Sequence, residues 1–180
     1  MQRIVILGNS GSGKSTLARD LGARLGLPVV HLDTLFWEPG WVEPDAGQFR
    51  DRVREAIAPQ AWVCEGNYAR RTFDLRLPRA DLVIWLDTPR LTCLGRVILR
   101  SLMNRPRPDL PSGCSEKLDK AFLGFLKFVW QFDHGYRQGI EDVRLKTAPQ
   151  VPIVHLRGER QVEAFLARLP NAHPCAPPHL

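Results

Sequence analysis

Residues 8–15 read Gly8-Asn9-Ser10-Gly11-Ser12-Gly13-Lys14-Ser15. The stretch has the form GxxxxGK[ST], in which backbone N–H groups curl inward around phosphate oxygens. Glycine is required because a Cβ would obstruct that curl. The pattern predicts Lys14 reaching the β- and γ-phosphates of a nucleotide and the Ser15 hydroxyl ligating Mg²⁺. Upstream, Arg3-Ile4-Val5-Ile6-Leu7 is apolar and β-branched, as a buried parallel strand is. Downstream, Leu17, Leu21 and Leu25 share one face of a helix whose N-terminus adds free N–H groups. Strand, loop and helix follow in the order a phosphate site needs. Gly8, Asn9, Ser10, Gly11, Ser12, Gly13, Lys14, Ser15 and Thr16 are therefore the candidate nucleotide contacts.

The chain has 180 residues, 44% hydrophobic and 24% charged, enough for one domain with a full core. No apolar run approaches a membrane span. Met1 leads straight into the first strand, so no signal peptide is expected. Cys64, Cys93, Cys114 and Cys175 show neither CxxC pairing nor metal-ligand spacing and read as reduced thiols of a cytoplasmic protein. The net charge of +6 has two readings. One is a basic surface for nucleic acid. The other, favoured because arginine far outnumbers lysine, is a ring of guanidinium groups around polyphosphate.

Further apolar runs at 29–32, 61–64, 82–86 and 151–156 read as strands two to five. Helices are expected over 45–58, 88–103, 115–132, 135–146 and 161–169. Residues 34–43 and 69–80 read as loops, the second with a helical turn, and Asp87 or Thr88 as a helix cap. Strands alternating with helices predict a three-layer α/β/α domain over 1–169 with a parallel sheet. Residues 104–135 read as a lid, and the proline-rich tail 170–180 as disordered. Ligands gather at the carboxyl ends of such strands, where Asp33, Glu65 and Asp87 stand.

Phosphoryl transfer needs alignment and charge neutralisation more than covalent catalysis. Asp33, after strand two, is a candidate for positioning or deprotonating an acceptor hydroxyl. Glu65, after strand three, is placed to orient Mg²⁺ through water. Arg96 and Arg100 lie four apart on one helix face, with Leu91, Leu94, Ile98 and Leu102 expected to face the core. Arg105 and Arg107 follow in the lid, and Arg137 lies further on as another candidate catalytic arginine. Phe36 and Trp37, in a loop with Trp41, either stack on a ligand or pack that loop. Asn67, Tyr68 and Arg70 are candidate acceptor contacts. His31, His134 and His155 read as structural.

Gly8 to Ser15, His31-Leu32-Asp33, Phe36-Trp37, Glu65-Gly66-Asn67-Tyr68, Asp87-Thr88-Pro89-Arg90, Arg107-Pro108-Asp109 and the Gly113-Cys114-Ser115-Glu116-Lys117-Leu118-Asp119 stretch together resemble the topology modulation proteins, which are adenylate-kinase-like P-loop proteins. The resemblance runs from Met1 to about Leu169. It implies the nucleotide-kinase sheet, strand order 2-3-1-4-5, with ATP and Mg²⁺ as cofactors. It implies Arg96 against the adenine, Arg100 on phosphates, Arg105 and Arg107 in the lid, and Arg157-Gly158 beside the base. Nucleotide kinases usually carry Asp-Gly-x-Pro-Arg after strand three. Here that place holds Glu65-Gly66-Asn67-Tyr68, with Arg70 and Arg71 slightly later.

The expectation is a monomeric, ATP- and Mg²⁺-dependent phosphotransferase acting on a nucleotide or small hydroxylated acceptor. The alternative is a DNA-associated or regulatory ATPase switch affecting DNA topology. No DNA-reading motif appears in the chain.

Overall fold

In the first strand the side chains alternate between two buried environments. Val5 and Leu7 enter one apolar cluster, and Ile4 and Ile6 enter another on the opposite face. A strand buried on both sides has to lie inside a layered sheet. The computed structural model describes residues 1–103, 109–110 and 119–170. The strands are β1 (Arg3–Gly8), β2 (Val29–His31), β3 (Trp62–Glu65), β4 (Leu82–Leu86) and β5 (Ile153–Leu156). They form one parallel sheet in the order β2-β3-β1-β4-β5, the order implied by the resemblance. Register pairs Val5 with Cys64 and with Val83, so β1 is the centre and its C-terminal end opens into the phosphate loop.

The helices are α1 (Lys14–Leu25), α2 (Leu32–Phe36), α3 (Ala46–Ala56), α4 (Ala69–Arg76), α5 (Arg90–Met103), α6 (Lys120–Gln131), α7 (Arg137–Thr147) and α8 (Gly158–Ala167). Leu17, Ala18 and Leu21 of α1, with Val162, Phe165 and Leu166 of α8, cover one sheet face. Phe49 and Val53 of α3, Phe73 of α4 and Phe132 cover the other. Asp45 caps α3 by accepting from the Gly47 N–H at 2.8 Å, and Asp119 caps α6 by accepting from Phe122 at 2.9 Å. Phe132–Tyr136 forms one π-helical turn joining α6 to α7.

Three local expectations are corrected. Residues 34–43 begin inside a helix, because α2 continues directly from β2. Residues 69–79 form α4 and a 3₁₀ turn at Leu77–Arg79 rather than a loop. Thr72 and Arg76, both 0% exposed, make a polar sequence helical by bonding inside the fold. On α5 the buried face is Cys93, Val97 and Ser101, with Leu94 partly buried, whereas Leu91 is 70%, Ile98 39% and Leu102 62% exposed. Arg105, Arg107, Cys114, Cys175 and the tail from residue 171 lie outside the described residues, as does most of the 113–119 stretch. Cys64 and Cys93 are buried free thiols, and burial pushes Cys93 up to about 11. No helix among the described residues is long and apolar enough to cross a membrane.

Asp81 staples the start of β1 to β4. Its carboxylate accepts from Gln2 N at 2.7 Å, Arg3 N at 3.0 Å and the Arg3 guanidinium at 2.8 Å. The Gln2 N–H bond, aided by Arg3 and opposed by partial burial, lowers Asp81 from 3.8 to about 2. A depressed carboxylate stabilises the fold above its unfolded value and loses that contribution as pH falls through the folded value. The contribution is about 1–2 kcal/mol after solvent screening. It is therefore lost between pH about 4 and about 2. Asp81→Asn should lower stability at pH 6 by that amount and flatten the acid limb. Denaturant melts from pH 2 to 6 check this, and parallel curves for both proteins would refute it.

Candidate functional site

The loop between β1 and α1 is built on glycines with positive φ. Gly8, Gly11 and Gly13 have φ of 146°, 77° and 100°. Two also sit against neighbouring backbone. A Cβ on Gly11 would lie 2.4 Å from the Cys93 carbonyl oxygen, and one on Gly8 would lie 2.9 Å from that of Leu86. The loop thus rests on α5 and on the end of β4, and this is why α5 turns small side chains inward. Thr88 Oγ1 donates to Ser12 O at 3.0 Å, tying the β4–α5 turn to the loop instead of capping α5.

Lys14 Nζ donates to Asn9 O across the loop at 2.9 Å. Asn9 Nδ2 donates to Val129 O at 2.8 Å, anchoring the loop to α6. Asn67 grips Gly8 twice: its Oδ1 accepts from Gly8 N at 3.1 Å, and its Nδ2 donates to Gly8 O at 2.9 Å. The residue read as an acceptor contact thus holds the first loop glycine. Arg96 lies beside the loop, with Nη1 3.4 Å from Ser12 O and Nη2 2.5 Å from Glu159 of α8. Arg100 is half-buried one turn further along the same face.

Glu65 is 2% exposed at the end of β3. Its Oε1 meets Ser15 Oγ at 3.0 Å and His31 Nδ1 at 2.9 Å. Burial raises its pKa, but the His31 bond, the Lys14 charge and the Ser15 bond outweigh burial and hold it below the ordinary carboxylate value. His31, read as structural, orients this carboxylate. Asp109, 7% exposed, brings Oδ2 to within 2.9 Å of the same Ser15 hydroxyl. The oxygen donors of Ser15, Glu65 and Asp109 are of the kind Mg²⁺ takes. Among the described residues no group of three His, Cys, Asp or Glu side chains forms a cage for a metal. A cation at Ser15 would complete its shell with water and phosphate oxygens, as Mg²⁺ commonly does.

Asp33 lies in α2 directly after β2. Tyr68 Oη donates to its Oδ1 at 2.8 Å. Burial and the Asp33 charge raise the Tyr68 pKa, so its phenol stays protonated and keeps donating. Tyr68 has φ of 38°, a left-handed conformation that costs a bulky residue about 1–3 kcal/mol. Its ring sits 4.8 Å from Phe36 and 5.0 Å from Phe49. Phe36 is 4% exposed and serves the core, and Trp37 packs edge-on against it and Trp41.

The Glu65–Tyr68 turn is held from beneath by Arg76. Its Nη2 donates to Gly66 O at 3.0 Å and Asn67 O at 2.6 Å, and its Nε to Thr72 Oγ1 at 3.1 Å. Nothing in the sequence singles out Arg76 for this role, because it is one of four arginines, with Arg70, Arg71 and Arg79, in the stretch that follows the turn. Beside the turn opens a cavity of about 480 Å³, lined by Asn67 to Arg71 and by Phe128, Phe132, Tyr136 and Gly139 of the α6–α7 arm. Arg70 is exposed on its wall, and Arg71 is paired with Glu43.

Many of the arginines among the described residues are engaged by carboxylates or carbonyls of the chain itself. Arg79 donates to Ile57, Ala58 and Pro59 carbonyls at the end of α3, and Arg24 to Leu169 O. Arg50 pairs with Asp74, Arg52 with Glu38 and Arg144 with Glu141. Arg137 Nη1 lies 2.6 Å from Asp87 Oδ1, and its guanidinium lies 5.2 Å from the Trp85 ring centre. His155 meets Asp87 at 2.9 Å, and Arg157, at the start of α8 beside Gly158, lies 3.9 Å from it. Asp87 is thus a collecting point for cations and not a helix cap.

No family model matches the chain. A shikimate kinase of Symbiobacterium thermophilum is 34% identical over 123 residues, covering 57% of this chain and 67% of the relative. The structure of shikimate kinase from Acinetobacter baumannii in complex with shikimate matches with a TM-score of 0.53 and 17% identity, over 93% of this chain and 90% of that one. The second likeness is one of fold.

Proposed function

From the premise that this chain belongs with shikimate kinase among the adenylate-kinase-like P-loop kinases, we propose that it moves the γ-phosphoryl group of ATP to a hydroxyl of a small, anionic acceptor. The observation that carries the reading is a pair of consecutive residues. Asn67 clamps Gly8 of the phosphate loop, Tyr68 holds Asp33, and both line the cavity. Phosphate loop, candidate base and acceptor chamber are thereby held in one frame. Positioning of this kind is what phosphoryl transfer asks of a protein.

Lys14 would turn from the Asn9 carbonyl to the phosphates and neutralise charge as it develops. The loop N–H groups would bind phosphate oxygens. Ser15 and Glu65 would hold Mg²⁺. That ion, when bound, screens the phosphates from an incoming oxygen. Asp33 would accept the proton of the acceptor hydroxyl, with Tyr68 fixing which oxygen faces it. Arg70, on the cavity wall, would meet the acceptor's anionic group. A cyclic hydroxy acid such as shikimate fits these requirements, and the relative's name makes it the first compound to try. The DNA-associated alternative rests on the resemblance to topology modulation proteins and on net charge, and several of the arginines that create this charge are paired with carboxylates of the chain itself.

Asp33→Asn should lower kcat by about 10²–10⁴-fold, the usual contribution of a positioned base. ATP affinity should stay within about twofold, because Asp33 belongs to the acceptor side. Steady-state kinetics with direct nucleotide-binding measurements check both. A kcat changed less than threefold would remove Asp33 from the chemistry.

A further inference from the structure

We propose that Asp109, from the segment joining α5 to α6, is a third protein group at the metal position, adding to Ser15 and Glu65. The proposal rests on the nucleotide-site reading above. Its ground is a mismatch of protons at Ser15. The hydroxyl carries a single proton and can donate once. Yet Glu65 Oε1 stands 3.0 Å and Asp109 Oδ2 2.9 Å from the same oxygen. One carboxylate therefore receives the proton, and the other faces a lone pair. Both are nearly buried, at 2% and 7% exposure, where water screens such an opposition weakly.

His31 supplies a bond to Glu65, and Lys14 is engaged with Asn9 O. A divalent cation bound to the serine oxygen would turn the opposition into attraction. It would bring three hard oxygen donors from three separate places in the chain onto one ion. The contrary arrangement is a latch, in which Asp109 occupies Ser15 and competes with the metal. The two predict opposite signs for the same substitution.

The test uses the full chain and Mn²⁺ as a paramagnetic substitute for Mg²⁺, titrated in the presence of ADP and followed by the signal of free Mn²⁺. Asp109→Asn preserves shape and still offers a hydrogen-bonding partner to Ser15, and a thermal melt confirms folding. Mn²⁺ affinity should fall about 10–100-fold. ADP affinity measured in excess chelator should stay within twofold of the parent protein. Equal Mn²⁺ affinity in both proteins would overturn the proposal, and tighter binding by the variant would replace it with the latch. If the parent protein itself fails to bind Mn²⁺ with ADP, the nucleotide-site reading falls first, and the proposal with it.

Discussion

Lys14→Ala should cut phosphoryl transfer by at least about 10²–10³-fold while leaving the fold intact. Removing one preorganised charge from a developing anion costs this much where the charge is aimed at the transition state. The structural cost is small because, among the described residues, the Lys14 ammonium makes a single hydrogen bond, to the Asn9 carbonyl. Replacing one such partly buried bond changes stability by about 1 kcal/mol. Activity and stability should therefore separate cleanly in this variant. Lys14→Arg should not restore the rate, because a planar guanidinium cannot take the place of a compact ammonium inside a tight backbone loop. Turnover assays paired with thermal melts decide the matter. Turnover unchanged in Lys14→Ala would remove the loop from the chemistry.

Arg76→Met should be the most destabilising single change at the site, by about 3–5 kcal/mol. Arg76 is fully buried and donates to Gly66 O, Asn67 O and Thr72 Oγ1. Methionine fills much of the volume but offers no donor, so two backbone carbonyls lose a charged partner. Bonds to charged groups contribute about 1.5–3 kcal/mol each. The loss should also reach the phosphate loop, because Asn67 then grips Gly8 from a turn that is no longer fixed. Nucleotide affinity should fall in the fraction that remains folded. Denaturant unfolding and nucleotide binding measure the two effects. A stability loss below 1 kcal/mol would show that the turn holds itself.

What could be read from the sequence follows from where each signal resides. The phosphate loop is legible because its demands are local: glycines at positive φ, a lysine, a serine, a strand before and a helix after. Strands β1, β3 and β4 are legible because a strand buried on both faces leaves little room for polar residues, Glu65 at the end of β3 being the exception. The burial of α5 was misread because the leucine spacing describes a stripe without saying what approaches it. The Gly11 backbone comes so near the Cys93 carbonyl that the helix must present small residues there, which sends Leu91 and Leu102 outward. Residues 69–80 read as a loop with a helical turn because they are polar, yet Arg76 is buried for the sake of carbonyls in the preceding turn, and Thr72 is buried beside it as its acceptor. His31 and Asp109 gave no local sign of their positions. Their meaning depends on Glu65 and Ser15, which lie 34 and 94 residues away.

The central claim is acceptor-dependent transfer from ATP, and the measurement closest to it is product stoichiometry. The purified chain is incubated with Mg-ATP and each of a set of acceptors: shikimate and other hydroxy acids, nucleoside monophosphates, nucleosides and sugars. ADP and any phosphorylated acceptor are quantified in the same sample. The account predicts that one anionic hydroxylated compound accelerates ADP release and gains one phosphoryl group for each ADP formed. Slow ADP release, equal with every acceptor and with none, would contradict it.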